Sequence, residues 1–96
     1  EKREPLAWAG LGMLDFYENR LDDSWNALRN AEFLDPDEPD IIFSLAQVLS
    51  RSEKYKEAAE AYERFLQVAP ITDIDRRARI KGLVSFLRYL GGKHRL

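Results

Sequence analysis

Two groups of residues in this chain have types and spacings that could do chemistry. The first is Asp35-Pro36-Asp37-Glu38-Pro39-Asp40, four carboxylates within six residues. Carboxylates at that density can hold a hard cation such as calcium, but a calcium loop also needs a glycine at its sharp turn and a distal glutamate. This segment has neither. Its acids suit instead the positive end of a helix beginning near Pro39. The second group is the basic series Arg76, Arg77, Arg79, Lys81 and Arg88, which could neutralise nucleic-acid phosphates. No aromatic interleaves its early part, and residues 1–70 carry 8 Lys/Arg against 15 Asp/Glu, a net −7 that would repel phosphate. Residues 71–96 carry 7 against 2, a net +5. That asymmetry equally fits a basic last helix complementing the acidic remainder. The one histidine, His94, falls in a terminal tail with nothing to hold it. Without cysteine there is no disulfide, thiolate metal site or cysteine nucleophile. There is no glycine-rich phosphate loop either. The expectation is a protein that is not an enzyme, with no metal, no cofactor and no small-molecule substrate.

The elements that position these residues read as helices throughout. The chain is 45% hydrophobic and 33% charged, a globular composition for one small domain. Pro5 suits the first turn of a helix running to about Asn19. A second helix, with Asp22 as its N-cap, runs to about Leu34 and stops before Pro36. The third spans about Pro39 to Ser52 and the fourth about Lys56 to Val68. Glu57, Glu60, Glu63, Lys54, Lys56 and Arg64 give the fourth a mixed charged face with a Glu60–Arg64 pair. Thr72 is placed to cap the fifth, with Asp75 completing a short capping box. That helix ends near Leu90, before Gly91-Gly92. Ile80, Leu83, Val84, Leu87 and Leu90 give it an apolar stripe, suited to closing the open end of a stack. No apolar run approaches the roughly 20 residues that cross a bilayer, so no membrane contact is expected. No cleavable signal appears at Glu1–Pro5. The chain reads as a fragment of something longer, and its compartment stays open, with the cytoplasm slightly favoured.

Pro36 and Pro70 lie 34 residues apart, and the stretches before them match at that offset. Trp8 falls with Ile42, Leu11 with Leu45, Gly12 with Ala46, Leu21 with Tyr55, Ser24 with Ala58, Leu28 with Tyr62, Ala31 with Phe65, and Leu34 with Val68. A period of this length marks stacked helix–turn–helix units. In this pattern, and in the stretch Tyr55-Lys56-Glu57-Ala58-Ala59-Glu60-Ala61-Tyr62, residues 5–70 resemble two tetratricopeptide repeats. The resemblance implies an all-α fold of five helices, a right-handed superhelical stack of antiparallel pairs within a single domain over 1–96. Repeat one would be 5–38, repeat two 39–72, a capping helix 73–90 and a basic tail 91–96. Helix five would keep the phase of a first helix. Two positions depart from the family pattern. Asp15 stands where an aromatic is usual, with Phe16 beside it to compensate. Phe65 stands where alanine is usual, so helix five must stand off or offer a notch.

The resemblance also implies a concave groove lined by the first helices. Its residues would be Leu6, Ala9, Met13, Phe16 and Tyr17, then Asp40, Phe43, Gln47, Ser50 and Arg51, then Arg77, Ala78 and Lys81. Ala9, Met13, Phe43 and Gln47 occupy the places of the family's carboxylate clamp, so no clamp is expected. An apolar floor of Ala9, Met13, Phe16 and Phe43 would suit a peptide or protein segment with apolar anchors. Phe16 stays open between groove and core. Trp25 and Phe33 could form a second interface and seed a homodimer, or bury against helix four. The favoured expectation is a protein–protein interaction module, part of a scaffold or assembly protein, with a chaperone-like role as its narrower form. Nucleic-acid binding through helix five, or a regulatory segment of a larger enzyme, is the alternative.

Overall fold

The computed structural model describes residues 3–93, so His94 and the end of the basic tail lie outside the described residues. Among the described residues the chain forms five α-helices and no strand: α1 (Arg3–Tyr17), α2 (Leu21–Leu34), α3 (Pro39–Arg51), α4 (Tyr55–Val68) and α5 (Ile74–Lys93). Each helix packs chiefly on its chain neighbours, α1 on α2, α2 on α3, α3 on α4 and α4 on α5. The body measures 43 × 32 × 19 Å.

The 34-residue offset reappears in the backbone. The turns after α1 and α3 are closed by Asn19 (φ 62°) and Glu53 (φ 63°), the two non-glycine residues with positive φ among the described residues. Their neighbours make the same bonds. Arg20 N–H donates to Asp15 O at 2.8 Å and Lys54 N–H to Leu49 O at 2.9 Å. Further along, Asp35 N–H donates to Ala31 O and Ala69 N–H to Phe65 O. Chemically different residues therefore take one conformation, as expected when packing rather than local propensity sets the turn.

Within the first pair, the close approach of α1 and α2 depends on Gly12. A Cβ there would lie 2.6 Å from Leu28 Cγ and 3.3 Å from Ser24 O. Ser24 Oγ uses the space to donate to Gly12 O at 2.7 Å, which satisfies a fully buried hydroxyl. Two clusters form the core. One joins Phe16, Leu28 and Ala31 to Ile41, Leu45 and Val48 across the junction of the two pairs. The other joins Ile42, Ala46 and Leu49 to the inner faces of α4 and α5.

Several expectations from the sequence are corrected. The residue before α2 is Arg20, not Asp22, and no side chain caps it; α4 likewise starts at Tyr55, after Lys54. For α5 the cap is Asp73, not Thr72: its carboxylate accepts from Arg76 N–H at 3.1 Å. α5 runs through Gly91 and Gly92 to Lys93, with Gly91 resting against Lys56 of α4. Its phase also differs from a first helix. Ile80, Val84 and Leu87 face α4, and they lie 39 residues after Ile41, Leu45 and Val48, not 34. The residue in strict register with Leu45 is Arg79, which is exposed. Turning the helix exchanges a charge for an apolar stripe at the seam, which burial favours. Leu83 and Leu90 are half-buried at the edge of that stripe. Finally, Arg64 turns away from Glu60. It pairs with Glu32 and bonds Pro36 O, tying α4 to the end of the first pair.

Candidate binding groove

Phe16, Gln47, Ser50 and Arg51 come together as expected. They line an open cleft of about 460 Å³ with Glu53, Tyr55 and Tyr62. α3 supplies its middle because Gln47, Ser50 and Arg51 sit on the side left by the buried Ile42, Ala46 and Leu49. A second, smaller cleft of about 160 Å³ lies at the other end of α3, where Asp40 and Arg77 meet Arg76, Phe65 and the Pro70–Asp73 loop. Phe43 stands between the two clefts, its ring 5.6 Å from Tyr62 and 5.4 Å from Phe65 in tilted and edge contacts.

The floor is not bare apolar surface. Phe16 is 6% exposed and belongs to the core, and the Arg51 guanidinium lies 4.3 Å above its ring centroid. Phe43 is half-buried, and Arg76 lies 4.7 Å from its centroid and 5.0 Å from that of Phe65. Cation–π stacking of this kind holds a guanidinium in place without neutralising it. Neither Arg51 nor Arg76 forms an ion pair among the described residues. The clefts therefore hold guanidiniums over aromatic rings, beside the carboxylate of Glu53 in one and those of Asp40 and Asp73 in the other. Burial pushes the Tyr62 phenol above its ordinary pKa.

Of the other expected groove residues, Asp40 and Arg77 line the smaller cleft and the rest line neither. Leu6 and Tyr17 are 73% and 76% exposed and line neither cleft. Ala9 and Met13 are half-buried against the Phe16 cluster, which joins α1, α2 and α3. Arg77 donates to Ala69 O at 3.5 Å, while Lys81 and Ala78 are exposed outside both clefts. Asp15 is itself buried, beside the core residue Phe16. Its buried carboxylate accepts from Arg20 Nε at 3.1 Å and Arg20 Nη2 at 2.6 Å. This bond raises the Arg20 pKa further. Trp25 and Phe33 do not make a shared surface. Trp25 is half-buried against both core clusters with Arg29 over its ring, whereas Phe33 is 85% exposed.

Sequence reading placed Arg76 in the basic series of helix five and not in the groove, though two anomalies pointed there. Phe65 occupies a place where the pattern calls for a small residue, and Arg76 falls 34 residues after the apolar Ile42. Each oddity answers the other, since the guanidinium stacks on the ring. Among the described residues no group of three or more His, Asp or Glu side chains could hold a metal ion, and no helix is long and apolar enough to cross a membrane. No protein-family model matches the chain, and no curated protein matches it.

Proposed function

We propose that the chain is a tetratricopeptide-like stack that acts as a protein-interaction module. Its groove along α3 takes an extended segment that alternates apolar anchors with carboxylates. The observation that carries this reading is the convergence of Phe16, Gln47, Ser50 and Arg51 on one cleft, with an arginine stacked on aromatic rings at each end of α3. An acidic side chain would reach a guanidinium already fixed in place, which lowers the ordering cost of a charge-assisted hydrogen bond. Apolar anchors would cover the edges of Phe43 and Tyr62, and Gln47 and Ser50 can bond the peptide backbone. The recurrence of helix bounds, positive-φ turns and hydrogen bonds at 34 residues supports the repeat assignment and the right-handed stacking that goes with it.

A nucleic-acid reading has less to draw on. Arg77 bonds Ala69 O and Arg88 pairs with Glu63, leaving Arg76, Arg79 and Lys81 of the basic series beside an acidic body.

The test is fluorescence anisotropy with two labelled peptides of equal length. Both carry Leu and Phe anchors, one spaced by Asp and Glu, the other by Lys. The acidic peptide should bind, the basic one should not, and Arg51→Glu should weaken binding at least tenfold without changing the melt. Equal binding of both peptides, or indifference to Arg51→Glu, would place the interaction surface elsewhere.

A further inference from the structure

The first helix pair, α1 with α2, meets the rest of the chain along an apolar seam of Leu28, Ala31, Ile41, Leu45 and Val48. Apolar contact is non-directional, so such a seam holds two bodies together without fixing the angle between them. Polar contacts cross the junction toward both ends of the seam. At one end the Arg51 guanidinium of α3 stacks on Phe16 of α1. At the other, Arg64 of α4 reaches Glu32 of α2 and Pro36 O, with Asp37 Oδ1 at 3.6 Å. Arg51 is the last residue of α3, and Pro36 and Asp37 lie just before its first, so the two contacts are roughly 18 Å apart, one helix length. Glu32 is the hub of the second contact. Its Oε1 lies 3.1 Å from Arg29 Nε, its Oε2 accepts from Arg64, and its side chain is 18% exposed. Guanidinium–carboxylate bonds carry geometric specificity that apolar packing lacks.

We propose that Glu32 and Arg64 are positioning residues for the groove. They set the angle between the first pair and the rest, and so decide whether Phe16 lies under Arg51 at the far end of α3. The larger cleft takes Phe16 from α1 and its other residues from α3, α4 and the turn between them, so its shape follows that angle. The positioning role rests on the groove reading; the alignment itself does not.

The first test reads Arg51 by NMR, with no peptide present. Protons above an aromatic face resonate upfield, so the Arg51 Nε–H should be shifted upfield in the parent chain. Glu32→Gln and Arg64→Met, at the other end of α3, should each remove more than half of that shift, with helix content by circular dichroism unchanged. Salt near 1 M should do the same to the parent, because the Arg64 side chain is partly exposed, and should add nothing to Glu32→Gln. Arg88→Met breaks the Arg88–Glu63 pair between α4 and α5 and should leave Arg51 as it was. A parent without the upfield shift overturns the proposal. So do variants and salt that leave the shift intact, or an Arg88→Met that moves it equally. The labelled acidic peptide then separates the two readings. Glu32→Gln should weaken its binding at least threefold. A parent that binds no peptide sinks the groove reading and leaves the alignment standing. A Glu32→Gln chain that loses the Arg51 shift yet binds as the parent does overturns the positioning role.

Discussion

Two glycines separated by one residue in α1 have opposite meanings. Gly12 is where α1 and α2 touch, and Leu28, which a Cβ would strike, is fully buried. Gly12→Ala gains roughly 1 kcal/mol of helix propensity but overpacks a site where such insertions cost about 1–3 kcal/mol. The clash should win, because Leu28 has no free space and the Ser24–Gly12 hydrogen bond is disturbed as well. Gly10→Ala meets nothing and should stabilise the isolated chain by about 1 kcal/mol. Thermal melts should move in opposite directions, by roughly 4–8 °C per kcal/mol for a domain of this size. Tyr62 gives a second residue-scale expectation. Burial raises its native pKa, so on raising the pH the unfolded chain loses this proton first. Its contribution is complete below the ordinary phenol pKa and is lost as pH rises beyond about 10. Tyr62→Phe should melt with a shallower decline between pH 9 and 11 than the parent. At this scale the sequence was readable where one side chain fixes one contact, as with Gly12 and Ser24. It was not readable where charge meets an aromatic face. Arg51 and Arg76 look like solvated cations in a string of letters, and only their neighbours across the groove reveal the stacking.

Among the elements, α5 differs most from the sequence reading. Its apolar stripe was legible and its start near residue 74 nearly so, but its rotation was not. Rotation depends on the partner surface, and the partner contains Phe65 in place of a small residue. A register of 39 puts Ile80, Val84 and Leu87 on α4, and Leu87 is 2% exposed at the centre of that seam. Leu87→Ala should therefore destabilise the fold by about 2–5 kcal/mol, read as a shift of the urea midpoint with little change in slope. Arg79→Ala, at the position a strict 34-residue register would bury, should leave the midpoint within about 0.5 kcal/mol of the parent. The glycines after Leu90 misled for a related reason. Glycine permits a left-handed cap but does not require one, and here the helix continues through both glycines to Lys93.

At the scale of the molecule, the order of helices and the pairing of neighbours could be read from a period alone. The groove's charge could not, because it arises where three helices meet: Phe16 from α1, Arg51 from α3 and Arg76 from α5. Each helix packs chiefly on its chain neighbours, and α3 also meets both α1 and α5. Across the junction of the pairs, the Arg64 bonds to Glu32 and Pro36 span the gap as a polar strap beside the apolar seam. The Arg64 side chain is partly exposed, so these polar bonds fix how the two pairs are aligned while the apolar seam beside them carries most of the adhesion.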